Sequence, residues 1–307
     1  MSDVIHFQAT NTALDAPERF RVSLGDGDIA GWRWRNPGAA PLLFCHANGF
    51  CASTYKQVLQ PLARQFDIYA IDLRGHGRTT LPATPTPDHT WRIFAADIGA
   101  FLDTVSGQEE IDALWTLAGH SLGAASSILA AVGRTDVKRV IAIEPVAVPP
   151  VAAAISHLPF WHSLSIRTPM AKGAFARRSH WSDAAATHAS YASKPIFKRW
   201  APGVLSDYLE DGLRAVEDGV TLSCAPGWEA ANFAARDAGF WRAVRSLDAP
   251  LSVLGAAHKS TTLFAGGKDR MKRAGAYVTL ARDVTHLAPM ENPALAADFI
   301  ASSVLPG

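Results

Sequence analysis

The alternation of short apolar runs with longer helix-like segments constrains this 307-residue chain more than any other feature. Mostly apolar runs occupy residues 42–45, 68–72, 114–118, 140–143, 251–254 and 277–280. Each is too short for a helix and is bounded by glycine, proline or polar residues. Segments of helical character lie among them at 54–65, 91–105 and 121–132, and another closes the chain at 293–304. Strands and helices that alternate in this way predict a mostly parallel sheet flanked by helices on both faces. Ahead of the alternation, segments 19–24 and 29–34 flank Gly25-Asp26-Gly27-Asp28 and predict a hairpin.

The pattern lapses between residues 146 and 248, a stretch too long for a plain loop. It holds five of the nine tryptophans, Trp161, Trp181, Trp200, Trp228 and Trp241, and helix-like pieces at 184–192 and 204–216. The expectation is an α/β core of residues 1–145 and 249–307 with an inserted helical cap over 146–248. Most of the cap aromatics should pack helix on helix, with some lining an apolar pocket beneath.

Hydrophobic residues make up 48% and charged residues 19%, the balance of a globular chain. With 29 basic and 28 acidic residues the formal charge is +1, which gives no electrostatic basis for nucleic-acid binding. Cys45, Cys51 and Cys224 are too few and too odd in number for a disulfide scaffold, and are expected to be reduced. Residues 1–10 lack the basic and apolar regions of a signal peptide. No run reaches the ~18 apolar residues of a membrane span; the most apolar stretch, 140–155, is broken by Glu144 and three prolines. These readings predict a soluble cytoplasmic protein that acts on a small molecule. No H-E-x-x-H or paired-cysteine spacing appears, so neither a metal nor a cofactor is expected.

Gly119-His120-Ser121-Leu122-Gly123 fits G-x-S-x-G, following the run 114–118 and opening the helix-like segment that follows. The motif needs that strand–turn–helix setting. The sharp turn crowds the residues two before and two after the serine, and glycines stand at both. Ser121 Oγ would then project at a helix N-terminus, where backbone N–H groups favour negative charge. His286 follows the last apolar run, on a loop able to fold over the sheet edge and take the Oγ proton. The order, nucleophile first and base near the C-terminus, makes it the candidate base among 11 histidines. The loop His46-Ala47-Asn48-Gly49-Phe50 follows the first core run. Its Asn48 N–H, with that of Leu122, is the candidate oxyanion hole. His46 reads as a brace for that loop. Asp72, Arg74 and His76 read as a supporting turn without chemistry.

These pieces resemble the α/β-hydrolase superfamily. The matching motifs are His46-Ala47-Asn48-Gly49-Phe50, Asp72-Leu73-Arg74-Gly75-His76-Gly77, Gly119-His120-Ser121-Leu122-Gly123 and His286-Leu287-Ala288-Pro289-Met290-Glu291. They cover roughly residues 20–145 and 250–307, and imply the α/β-hydrolase fold with a serine nucleophile. Members that displace halide or open epoxides use aspartate where Ser121 stands, so the resemblance does not extend to them. One departure is plain. The family commonly places its acid in a G-x-x-D turn after the strand at 250–254, and this chain has Gly255-Ala256-Ala257-His258 there. Two carboxylates compete for the role. Glu144 ends the strand after the nucleophile helix, and Pro145 behind it suggests a sharp turn into the cleft. Zearalenone lactonases are similar in having a glutamate after this strand and a Gly-Ala-Ala turn after the next. Asp269 is the rival and requires residues 261–265 to be the strand. Glu144 is the preferred candidate.

The chain is therefore expected to be a serine hydrolase cleaving a carboxylic ester or lactone through an acyl-enzyme. The aromatic-rich cap points to an apolar or aromatic substrate. A thioesterase, a C–C bond hydrolase and a non-catalytic ligand-binding member of the fold are the alternatives.

Overall fold

The computed structural model describes residues 16–86, 88–236, 239–260 and 266–304. The hairpin forms as expected, from β1 (Glu18–Ser23) and β2 (Asp28–Trp34), with Leu24 N–H bonded to the Gly27 carbonyl at 2.9 Å. The apolar runs become β3 (Ala40–Cys45), β4 (Phe66–Ile71), β5 (Trp115–His120) and β6 (Val137–Ile143). A small antiparallel sheet follows, made of β7 (His180–Trp181), β8 (Leu213–Val216) and β9 (Gly219–Leu222). β10 (Leu251–Ala256) and β11 (Tyr277–Ala281) complete the large sheet. Its eight strands run in the order β1-β2-β4-β3-β5-β6-β10-β11. β2 pairs antiparallel with β1 and β4, and every other pairing is parallel.

The strand runs are continuously apolar because both faces of the sheet are covered. Leu43 and Cys45 of β3, Tyr69 and Ile71 of β4, and Leu251 and Val253 of β10 face one core. The intervening Leu42, Phe44, Ile68, Ala70 and Leu254 face the other. The helices Arg92–Gln108 and Leu122–Ala131 cover the first face, burying Phe94, Ile98, Phe101 and Ile128. The helix Pro293–Ser302 covers the second with Ala296, Ala297 and Ile300.

Two local expectations are corrected. Residues 54–65 are not one helix. They form a 3-10 turn at Ala52–Tyr55, one α-turn at Lys56–Leu59 and a second 3-10 turn at Gln60–Arg64. Pro61 has no N–H to return to Gln57, which breaks the i→i−4 ladder. The helix read over 204–216 stops at Gly212. Beyond it the chain extends into β8 and turns back through Gly219, whose φ of +144° suits glycine, into β9. The segment between β6 and β10 thus combines helices with a small sheet. No helix among the described residues is long and apolar enough to cross a membrane. Cys45, Cys51 and Cys224 are buried and free.

Candidate active site

Parallel strands deliver their C-terminal ends to one edge of the sheet, and the sequence-predicted residues gather there. Ser121 stands between β5 and the helix Leu122–Ala131 with φ +54° and ψ −114°. That left-handed geometry is strained for a side chain. Crowding around the turn explains the flanking glycines. A Cβ on Gly119 would press on the backbone of Gly123 and Ala124, and one on Gly123 on the carbonyl of Cys45.

Glu144 repeats the device at the end of the neighbouring strand, with φ +46°. The two turns hold one another. Ser121 N–H donates to the Ile143 carbonyl at 3.0 Å, and Val146 N–H donates to the Ser121 carbonyl at 3.3 Å. Glu144 N–H is tied to the Leu254 carbonyl at 2.7 Å, pinning its turn between β6 and β10. The Glu144 side chain is fully buried. Its Oε1 accepts from Ala256 N–H at 2.6 Å and from Ser260 Oγ at 2.7 Å. Its Oε2 meets Nδ1 of His286 at 3.0 Å, and Nε2 of the same ring lies 3.0 Å from Ser121 Oγ. The carboxylate can only accept, so Nδ1 carries the proton and Nε2 is left as acceptor for the serine hydroxyl.

Asp269, the rival acid, is exposed on the helix Gly267–Arg273 and makes no hydrogen bond or ion pair with His286. Residues 261–265, the strand that alternative required, lie outside the described residues. His258 is exposed on the bend after β10.

Across the cleft lies the loop after β3. Ala47 N–H donates to Tyr55 Oη at 3.1 Å, Gly49 N–H to His76 Nε2 at 3.1 Å, and Phe50 N–H to the Ala47 carbonyl at 3.2 Å. Asn48 N–H is left without a partner among the described residues, as is that of Leu122 at the first turn of its helix. Both residues line the cavity beside Ser121. The Asn48 side chain is spoken for, donating to the Glu229 carbonyl at 3.0 Å and accepting from Asn232 at 2.8 Å. The motif histidines brace this loop. His46 donates from Nδ1 to the Ala47 carbonyl and accepts Leu73 N–H at Nε2. Asp72 accepts from Ala52 and Arg78 N–H, both at 2.8 Å, while Arg74 pairs with Asp97.

A second chain of hydrogen bonds escaped the sequence reading. His120 Nε2 lies 2.7 Å from the His286 carbonyl, which can only accept, so Nε2 bears the proton. Nδ1 then accepts from Tyr55 Oη–H at 2.7 Å, and Tyr55 in turn accepts the Ala47 N–H. Burial, reinforced by the neighbouring His286, holds His120 well below the usual histidine range and so neutral. The loop after β3 and the His286 loop are thus joined through two buried side chains. Only His120 carried a signal in the sequence, as the variable residue of the serine motif.

The segment between β6 and β10 closes over this edge. Of its five tryptophans, Trp161 and Trp200 line cavities beside Ser121. Trp228 and Trp241 are buried, and their Nε1 atoms bond the carbonyls of Arg74 and Val148 at 2.9 Å. Arg177 donates to both carboxylate oxygens of Glu229, at 3.0 and 2.8 Å, and to the hydroxyls of Tyr191 and Tyr208. Among the described residues, no group of three or more His, Cys, Asp or Glu side chains is placed to hold a metal ion.

Comparison with known proteins bears on the family and the fold. A sequence model of the alpha/beta hydrolase family matches residues 42–299. The 2-(acetamidomethylene)succinate hydrolase of Mesorhizobium japonicum is 33% identical over 112 residues, which cover 36% of this chain and 37% of that protein. The match thus spans little more than a third of that relative's length. Among solved structures, E-2-(acetamidomethylene)succinate hydrolase superposes with a TM-score of 0.74 at 19% identity, over 94% of this chain and 98% of the other. The thioesterase domain from the curacin biosynthetic pathway gives 0.71 at 17% identity, over 93% and 100%. A thermophilic esterase from Thermogutta terrifontis, with malate bound, gives 0.61 at 17% identity, over 94% and 98%. At such identities the likeness is one of fold, and the fold hosts several reactions.

Proposed function

The chain belongs to the alpha/beta hydrolase family, and we propose that it is a serine hydrolase cleaving a carboxylic ester, lactones included, through an acyl-enzyme on Ser121. The observation that carries the proposal is the continuous chain Ser121 Oγ–His286–Glu144, with both ring nitrogens engaged at 3.0 Å. In this reading Ser121 Oγ attacks the carbonyl carbon while His286 Nε2 takes its proton. Glu144 holds the ring by Nδ1–H and offsets the charge of the imidazolium. The N–H groups of Asn48 and Leu122 receive the oxyanion; each such donor is worth ~3–4 kcal/mol in the transition state. His286 then protonates the leaving oxygen. In the second half-reaction it activates the water that releases the acid. These steps call on no metal or cofactor.

The substrate is proposed to be a small molecule with an apolar or aromatic part, in keeping with Phe50, Trp161, Trp200 and Phe233 around the cleft. Residues 146–248 serve in this reading as the cap. Three free, buried thiols suit a reducing compartment, so a cytoplasmic location is part of the proposal.

The test is initial rates on p-nitrophenyl esters of increasing acyl length, for wild type and Ser121→Ala. Turnover by wild type with a loss of about six orders of magnitude in kcat for the variant is expected. A folded wild-type protein silent on the whole panel and on simple lactones would remove the ester reading.

A further inference from the structure

Ser121 stands on the border of two cavities. One, of about 390 Å³, is also lined by His286 and Leu287. The other, of about 380 Å³, is lined by Leu122 instead. Asn48, Val146, Met170 and Phe233 border both.

The two walls differ in chemistry. Among the described residues no charged side chain lines the second cavity, whose wall includes Trp91, Val148 and Trp161. Apart from Ser121, its hydroxyls and amides are consumed internally. Thr168 Oγ1 donates to the Ser165 carbonyl, Ser260 Oγ to Glu144, and Asn232 is held between Asn48 and His89. The first cavity combines aromatic rings, Phe50, Phe197 and Trp200, with three charged groups, Arg177, Glu229 and Lys194. Arg177 and Glu229 neutralise one another. Lys194 pairs with no carboxylate among the described residues, and its ammonium stands 4.5 Å over the ring of Tyr191, which lines the same cavity. Desolvation, then the proximity of Arg177 and Arg178, lowers its pKa.

The reaction geometry tells which cavity takes which half of the substrate. His286 must hand its proton to the leaving oxygen, so the leaving group lies on the His286 side. The acyl part then lies on the side of Leu122. We propose that the second cavity is the acyl subsite for an apolar group, and that the first receives an aryl-like alcohol bearing an anionic group, a carboxylate, which Lys194 meets at the mouth. This deepens the ester reading and rests on it.

The experiment pairs, at a short and at a long acyl chain, two esters with the same chromophore, the 4-nitrophenyl and the 3-carboxy-4-nitrophenyl ester, each corrected for its hydroxide-catalysed rate. Calorimetry with the released phenols, 4-nitrophenol and 5-hydroxy-2-nitrobenzoate, reads the subsite without turnover. Wild type should favour the carboxylated member in kcat/KM and in binding. Lys194→Met should cut the carboxylated-to-neutral ratio about fivefold, the scale of an exposed ion pair, while Lys194→Arg retains it. Ala152→Phe, which intrudes on the second cavity, should shift preference to short acyl chains for both leaving groups. Equal binding of the two phenols, or a ratio unmoved by Lys194→Met, would overturn the anionic subsite. A change in alcohol rather than acyl preference with Ala152→Phe would overturn the assignment of the halves. Failure to hydrolyse either ester, with the difference in phenol binding intact, would overturn the ester reading and the assignment of a leaving-group half, leaving an anion subsite.

Discussion

The sheet edge and the segment over it build the same cleft by different means. At the edge, the two strained turns are fixed by backbone. Ser121 and Glu144 sit in strained turns locked to each other through Ile143 and Val146, and Glu144 is further tied to Leu254 and Ala256. In the segment between β6 and β10, positions are fixed by side chains. Arg177 gathers Glu229, Tyr191 and Tyr208 from three separate helices, and Tyr208 reaches back to the Gly49 carbonyl at 3.2 Å. The first arrangement suits chemistry, which tolerates little misplacement. The second suits recognition, since side chains change without disturbing the sheet. Variants at the edge should therefore lower kcat in a folded protein, and variants in the segment should act on stability or KM.

The largest expected effect sharpens the edge half of that contrast. Glu144→Gln keeps the size of the side chain and removes its charge. It should lower kcat by about four orders of magnitude on any ester the wild type turns over, with KM little changed. Next, Arg177→Met leaves the Glu229 carboxylate, which is 7% exposed, without its cation. A loss of about 2–4 kcal/mol in denaturant unfolding is expected, with kcat for short esters falling far less than in Glu144→Gln. A kcat collapse with unchanged stability would break the contrast. Tyr55→Phe interrupts the link between the Ala47 and His286 loops and strands two buried polar groups. It should lower kcat about tenfold, equivalent to ~1.4 kcal/mol, and cost a further ~1–3 kcal/mol of stability.

The last effect is a pH dependence of stability. Burial lowers the pKa of His46, His89 and His120, and brings His76 down to about 4. Each therefore takes up a proton on unfolding below the ordinary histidine value of ~6.5, so stability falls as pH drops through that value. Asp72, pushed up to about 7 by burial, acts in the opposite sense and offsets one of them. Burial raises Asp97 and Asp207 as well, trimming the slope at the acidic end. The histidines outnumber Asp72, so the unfolding free energy should fall between pH 7 and 5, by ~1.4 kcal/mol per pH unit for each net proton bound, and the melting temperature with it. A rise over that range would contradict the neutral buried histidines.

The same contrast explains what could be read in the sequence. Ser121 was legible because its turn demands small neighbours at fixed offsets, and Glu144 because a strand ending in Glu-Pro has few ways to turn. His286 was legible from chain order alone. Asn48 is a candidate from its place in the loop after the first core run, and in the structure the N–H groups of Ala47, Gly49 and Phe50 beside it are already engaged. Arg177, Glu229 and Lys194 carried no signal. The groups that Arg177 gathers lie 14, 31 and 52 residues away on short helices with no fixed spacing, so only the folded chain brings them together. The helix read over 204–216 failed for a related reason, since pairing with β9 outweighed local propensity.

The central claim is that Glu144, and not Asp269, completes the group that activates Ser121. Its most direct test is the rate of covalent labelling of Ser121 by a fluorophosphonate, which needs no knowledge of the substrate, for wild type, Glu144→Gln and Asp269→Asn. Labelling slowed about a thousandfold or more in a folded Glu144→Gln, with Asp269→Asn within about twofold of wild type, is the predicted result. Fast labelling of Glu144→Gln together with a collapse in Asp269→Asn would contradict it.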